Sequence, residues 1–367
     1  MIVTTNCYLN KRFGAPDTKS ACPGYLDPET KVAVTETVVG QMIEGNYYWH
    51  KGTDGYYYWN GGFQQSEILE TIPIKEEDLH WHIYKFGIDK IWQKTQGEGI
   101  NVAILDSGIQ RNHPDLKDAR IILTRNFLYS GIDENMMNDV EDRSGHGTHC
   151  AGILCAQKKG ACGVAPGINL MVGKITESDF NLDPNALISG IQWAYDNQAD
   201  IISVSQNISE MSENAQALLE ALDGVSKYKG ILIGALSNAG DYGYDVNDFP
   251  YSHNCCIGIG AIDKNFKMDP STARTSFLKL LGPGRNIYST WIGGMYRPES
   301  GCSMAAPYIA GIMALIISYI RKRPRKLTKK QILEIITTNT SFHTGYLNKP
   351  EGIYPIVDPI RIFNFLK

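Results

Sequence analysis

The chain has 367 residues, of which 43% are hydrophobic and 20% charged, and a formal net charge of −4. This length allows a large buried core and suits one sizeable α/β domain with a small appendage. The two signs of charge are mixed along the chain, which gives no electrostatic footprint for nucleic acid or an anionic membrane, and neither is expected as a partner.

The opening MIVTTNCYLNKRFGAPDTK has no apolar run long enough for the core of a signal peptide, and no later stretch reaches transmembrane length uninterrupted. A cytoplasmic protein is therefore expected. The eight cysteines fit this reading: Cys150, Cys155 and Cys162 are unevenly spaced, Cys255 and Cys256 are adjacent, and no CxxC occurs, so buried thiols are expected in place of a disulfide framework.

Residues 1–78 are rich in Tyr, Trp, Thr and Gly and contain the β-prone runs KVAVTETVVG and GYYYWNGGF, which predict a small β domain. A polar, Pro-containing stretch, QQSEILETIPIKEEDLHW, carries the chain into a region of different periodicity and places the boundary near Glu77. Over residues 79–367, apolar runs predict strands at Ile100–Leu105, Leu170–Ile175, Ile201–Val204, Ile231–Leu236 and Cys256–Ile262, buried on both faces. Amphipathic stretches intervene, one through Leu187, Ile188, Ile191 and Tyr195, another through Leu218, Leu219, Leu222 and Val225. Repeated βαβ units of this kind predict an α/β fold with a mainly parallel central sheet and helices on both faces. Ile309–Ile320, interrupted by Gly311 and Ser318, reads as a buried core helix and not a membrane span. The basic run RKRPRKLTKKQ from Arg321 reads as a solvated helix junction, with Thr328 as the N-cap of the helix that follows.

In parallel sheets of this type functional groups collect beyond the carboxyl ends of the strands. Asp106, in AILDSGI, closes the first predicted strand, where a buried carboxylate can fix the tautomer of a histidine and stabilise its imidazolium. His146, in SGHGTHCAG, stands between glycines at the start of a small-residue helix. Its spacing to His149 lacks the Glu and the i, i+4 geometry of a zinc-binding helix, so a general base is the better reading. Ser303, in SGCSMAAP, falls at the start of the long apolar helix, with Pro307 placed in the first turn. There the hydroxyl is exposed, and the main-chain N–H can face a developing oxyanion. Asn238, in GALSNAG, follows the fourth strand and can supply an amide to the same oxyanion. Taken singly, each has a plain alternative: a strand-end turn aspartate, an N-cap serine, a turn asparagine.

The phrases DSGI, HPDL, GHGTHCAG, GVAP, SNAG and SMAAP, in this order over about residues 80–367, resemble the subtilisin-like (subtilase, peptidase S8) serine peptidases. The resemblance implies a serine endopeptidase acting on peptide or protein substrates, with Asp106, His146 and Ser303 as triad, Asn238 in the oxyanion hole and no organic cofactor. It leaves His149 as a supporting residue and His113 as part of a structural turn. It also implies substrate-binding segments at Ser205, Gln206 and Asn207 on one side of a cleft and Ala235, Leu236 and Ser237 on the other. The chain departs from the family pattern in four places. Asn207 and Ser237 replace glycines, which narrows the expected cleft. Cys302 replaces the usual Thr before the nucleophile, where its thiol packs as a small hydrophobe or makes activity sensitive to oxidation. The loop AQKKGACGVAP offers two lysines where many relatives bind calcium together with the residue matched to Asp115, so that site is expected to be absent, with calcium elsewhere left open.

The segment VVGQMIEGNYYWHKGTDGYYYWNGGF, over about residues 30–65, resembles bacterial SH3-like domains. Tyr47, Trp49, Tyr56, Tyr58 and Trp59 either line a groove for a protein or glycan partner or pack a barrel core. An inhibitory propeptide is the rival reading of residues 1–78. The readings carried forward are a restricted-specificity protease, a dedicated precursor-processing protease or transpeptidase, a partner-gated effector protease and, last, an inactive scaffold.

Overall fold

The structure, a computed structural model, describes residues 2–43, 46–63, 76–128, 134–177, 182–209, 215–225, 230–240, 248–324, 327–346 and 349–367. The chain divides into two compact units, one comprising Met1–Trp81 with Arg297–Glu299 and the other His82–Tyr296 with Ser300–Lys367.

The first unit is built from β1 (Ile2–Thr4), β2 (Leu9–Phe13), β3 (Ala21–Leu26), β4 (Lys31–Ile43), β5 (Asn46–Gly52) and β6 (Tyr57–Trp59). They form a six-stranded sheet in the order β1-β4-β5-β6-β2-β3 with antiparallel pairing. Val3, Leu9, Val32, Val34, Tyr58 and Phe63 make its core, with Leu26, Tyr56 and Trp59 packed against them. Of the five aromatics read as groove or core, Trp49 and Tyr58 are 2% and 0% exposed. Their polar ends are satisfied within the unit, Trp49 Nε1 donating to the Gln41 carbonyl and the Tyr58 hydroxyl to Asp54. These two are core residues and line no groove, which is how an aromatic with a polar handle is accommodated when buried. The side chain of Tyr47 lies outside the described residues, and the exposed aromatics of this unit include Tyr8, Phe13 and Tyr25.

The second unit contains β7 (Asn101–Asp106), β8 (Arg120–Asn126), β9 (Asn169–Lys174), β10 (Ile201–Val204), β11 (Ile231–Ala235), β12 (Cys256–Ile262) and β13 (Leu278–Pro283). A nine-stranded sheet runs Thr340–Tyr346, Lys349–Val357, β13, β12, β11, β10, β7, β9, β8. Every pairing is parallel except the first, so one antiparallel strand edges eight parallel ones. β10, β11 and β12 are buried at every residue, as strands covered on both faces must be. The Pro184–Asp196 helix packs against β7 and β9, and the Ala215–Val225 helix packs against that helix. The Cys302–Arg321 helix packs against β10, β11, β12 and β13 and is buried from Met304 through Ile320. It is long and apolar enough to cross a membrane, but 94% of that window is buried inside the protein. Asp106 is the last residue of β7, and the loop after β11 carries Asn238. The carboxyl edge of the parallel sheet therefore gathers both.

At the opposite end, three cations of the basic run are occupied. Arg321 pairs with Asp200, Lys322 with Glu98 at 3.0 Å, and the Arg323 guanidinium lies 3.4 Å from the centroid of the Tyr319 ring. Thr328 caps the Lys329–Thr338 helix through a full capping box with Gln331.

Candidate active site

Asp106 emerges from β7 almost completely buried, and its Oδ1 accepts from the Ser107 N–H and from His146 Nδ1, both at 2.7 Å. His146 is the first residue of the His146–Cys155 helix. With Nδ1–H given to the carboxylate, Nε2 carries the lone pair and is the ring atom able to take a proton. Burial alone would hold the imidazolium down. The Asp106 carboxylate against Nδ1 outweighs it and sets His146 well above its ordinary value of 6.5.

Ser303 is the second residue of its helix and half-buried. Its Oγ donates to the Ser205 carbonyl at 3.2 Å, while Ser205 Oγ donates to the Ser303 carbonyl at 2.9 Å. This reciprocal pair has a cause in the helix. Pro307 lies in the second turn and not in the first, as the sequence reading had it. Proline has no N–H to give to the residue four earlier, which is Ser303, so that carbonyl is free to bond Ser205 and Cys150. Cys150, one turn beyond His146, sits under both partners: its Sγ is 3.9 Å from His146 Nδ1 and 3.4 Å from the Ser303 carbonyl oxygen. Burial pushes its thiol up to about 11, so it serves as a neutral packing group at neutral pH.

Asn238 Oδ1 accepts from the Cys302 N–H at 3.0 Å. Pinning the carbonyl end of the amide to the start of the helix leaves Nδ2 as a donor without a partner among the described residues. Gly301 sits there at φ +154°, a conformation that favours glycine, and a Cβ would stand 3.0 Å from that nitrogen. Cys302 itself is fully buried, with its thiol directed to Thr272 Oγ1 and pushed by burial up to about 12.

The two segments expected to border a cleft are neighbours through β10 and β11. Ser205, Gln206, Ala235 and Leu236 are buried, whereas Asn207 and Ser237 are half-buried. With its amide in the orientation that satisfies its neighbours, Asn207 donates to the Ala235 carbonyl at 2.9 Å. Its side chain thus ties one segment to the other. Ser237 Oγ lies 3.3 Å from the Tyr251 hydroxyl.

His113 and His149 are fully buried. His113 Nδ1 accepts from the Asp115 N–H, and Nε2 faces the Met295 carbonyl at 2.8 Å, so it holds its turn as a neutral ring with burial lowering its proton affinity. His149 stacks edge-on against Trp291.

The residues around Asp115 do not fit a calcium ion. One of its oxygens accepts from the Lys159 N–H at 2.6 Å, the other from Gly160 and Ala161 at 2.7 and 2.8 Å. The Lys159 ammonium pairs with Asp118, and that of Lys158 lies 3.1 Å from the centroid of the Trp92 ring. A hard cation needs several oxygens, and here N–H groups and ammonium ions occupy the loop. Among the described residues, the one group of three potential ligand atoms within 4.8 Å of one another is Asp106, His146 and Cys150, two of which are already hydrogen-bonded to each other.

Sequence reasoning missed two members of this site. Cys150 was readable only as a small helix residue. Asp142 is 4% exposed and accepts from both sides of the site. Its position four residues before His146, in DRSGH, was the available signal.

A buried Asp–His pair at the edge of a parallel sheet, beside a helix-borne serine and a free amide, defines the class: a serine hydrolase of α/β architecture. The subtilase family model matches residues 97–353. An intracellular serine protease of Paenibacillus polymyxa is 37% identical over 231 residues, 62% of this chain and 69% of that protein. The major intracellular serine protease of Bacillus subtilis is 32% identical over 259 residues, 68% of this chain and 79% of its own. Thermitase of Thermoactinomyces vulgaris is 28% identical over 286 residues, 75% and 98%. The chain belongs to the subtilase family and is a serine endopeptidase acting on peptide or protein substrates.

Proposed function

We propose that Asp106, His146 and Ser303 are the orienting acid, general base and nucleophile of this endopeptidase, that Asn238 is an oxyanion donor, and that the cleft admits a restricted set of substrates. The 2.7 Å bond from His146 Nδ1 to buried Asp106 carries this reading, because it alone defines which ring nitrogen acts as base. Ser303 Oγ turns from the Ser205 carbonyl to Nε2, attacks the scissile carbonyl and gives its proton to the imidazole. The oxyanion takes hydrogen bonds from Asn238 Nδ2 and from the Ser303 N–H, which lies in a first turn and has no intrahelical acceptor. His146 then protonates the leaving amine, and water, deprotonated by the same ring, releases the acyl group from Ser303.

Restricted specificity rests on Asn207, whose bond to Ala235 fills space between the two cleft segments. The names of the Paenibacillus and Bacillus relatives support action inside the cell. Residues 1–78 act as a fused domain that binds a protein or glycan partner, a reading supported by a sheet with its own core. The decisive experiment is Ser303→Ala: peptide cleavage and covalent labelling by a fluorophosphonate both disappear. Wild-type protein that cleaves a broad peptide library but labels elsewhere than Ser303 refutes the assignment. Loss of about 80 N-terminal residues from the purified protein, abolished by Ser303→Ala, would make the first unit a propeptide.

A further inference from the structure

We infer that Asp142 is the positioning residue of this active site, a single buried carboxylate that sets the distance between Asp106 and His146. The inference rests on the roles proposed above for Asp106, His146 and Ser303. It starts from the first turn of the His146–Cys155 helix. A helix begins with N–H groups that have no intrahelical acceptor, and here the N-cap residue is Gly145, which has no side chain to supply one. Asp142 supplies it from three residues upstream. One of its oxygens accepts from the N–H groups of Ser144 and Gly145 at 3.0 and 2.8 Å, the other from the Thr148 N–H at 2.8 Å and the Thr148 hydroxyl at 2.6 Å. A negative charge at this end of a helix is also favoured by the aligned peptide dipoles.

The same carboxylate reaches the other half of the pair. Its Oδ1 accepts from Ser107 Oγ at 2.9 Å, and that hydroxyl accepts in turn from the Gly147 N–H at 2.9 Å. Ser107 is the residue whose own N–H holds Asp106 Oδ1. Asp142 therefore accepts five hydrogen bonds, one from the Asp106 turn and four from the chain that begins the His146 helix. Two more contacts lock the three segments. The Ile109 N–H donates to the Val140 carbonyl at 2.8 Å, and a Cβ at Gly147 would stand 2.2 Å from the Gly108 carbonyl oxygen. The 2.7 Å Asp106–His146 bond is thus the closing link of a ring of chain in which Asp142 is the common acceptor. Asp142, Ser107 and Thr148 are all buried, which separates this role from substrate contact.

Asp142→Asn tests it. An amide retains one oxygen and presents N–H groups where the carboxylate had its second acceptor, so a buried N–H of this ring loses its partner. Misplacement of a catalytic group by about 1 Å costs on the order of 10² in rate. The variant is expected to lose about that factor in kcat while KM changes less than about threefold. A fluorophosphonate should still label it to the same final stoichiometry at Ser303, at a rate reduced by the same factor as kcat. Asp139→Asn, exposed on the same loop and bonded to Arg143, serves as control and retains wild-type kcat. A variant that labels at the wild-type rate overturns the inference, as does one whose loss appears only as lower stoichiometry, which would make Asp142 a folding residue alone. Wild-type protein that fails to label at Ser303 overturns the triad assignment instead.

Discussion

Asn238 gives the most quantitative test of the proposed oxyanion site. Its side chain does two separable things: Oδ1 accepts from the Cys302 N–H at 3.0 Å, and Nδ2 is left to donate. Asn238→Ala removes both. Loss of one oxyanion donor costs about 10²–10³ in turnover, roughly 2.7–4 kcal/mol, a magnitude carried over from a subtilisin. Loss of the Cys302 acceptor affects stability only, by about 1 kcal/mol for a partly exposed bond, which in a domain of this size lowers Tm by no more than about 4 °C. Asn238→Asp separates the two, since it keeps an acceptor for Cys302 and replaces the donor with a charge that repels the oxyanion. It should preserve Tm and lose at least as much kcat as the alanine variant. Initial rates on a chromogenic peptide, normalised to active sites titrated with a fluorophosphonate, give kcat and KM, and calorimetry gives Tm. The reasoning fails if either variant retains kcat within about threefold of wild type, because no oxyanion donor is that dispensable.

Three further outcomes follow from the site. His146 acts as base only when neutral, and Asp106 holds it above 6.5, so kcat/KM should rise with pH along a limb centred above that value. Its effect on stability has the opposite sign: a raised folded pKa contributes in full below 6.5 and is lost as pH rises through the folded value, which urea unfolding of Ser303→Ala against Ser303→Ala/His146→Gln will isolate. Asp115→Asn, which deprives loop N–H groups of charged acceptors, should cost about 2–3 kcal/mol of unfolding free energy equally with and without EDTA; a cost that EDTA abolishes would contradict the amide-filled loop. Asn207→Gly should raise kcat/KM for bulky residues at the cleavage site by roughly tenfold, and an unchanged profile across a peptide series would remove Asn207 from specificity.

Much of this architecture was legible in the sequence because it follows from local rules. The continuous apolar runs ending at Asp106 and before Asn238 were strands buried on both faces, and Thr328, three residues before Gln331, was a cap that formed as expected. Strands without a continuous apolar run were not legible. β8 is largely exposed and Thr340–Tyr346 begins at the sheet edge, so their pairing partners and not their own patterns define them. The residues of the proposed triad were visible because each sits in a short phrase that also shapes its backbone.

What the sequence determined by itself was the inventory: a serine peptidase of the subtilase family, with Asp106, His146, Ser303 and Asn238 as its candidate groups. Only the tertiary structure decided how those groups are held. Residues far apart in sequence meet there, such as Ser205 and Cys150 on the carbonyl that Pro307 leaves without an intrahelical donor, and the Ser107 and Thr148 hydroxyls on Asp142. A local pattern records which groups a segment offers, but a buried carboxylate or carbonyl takes its meaning from the donors that other segments bring to it, and only the closed fold assembles those.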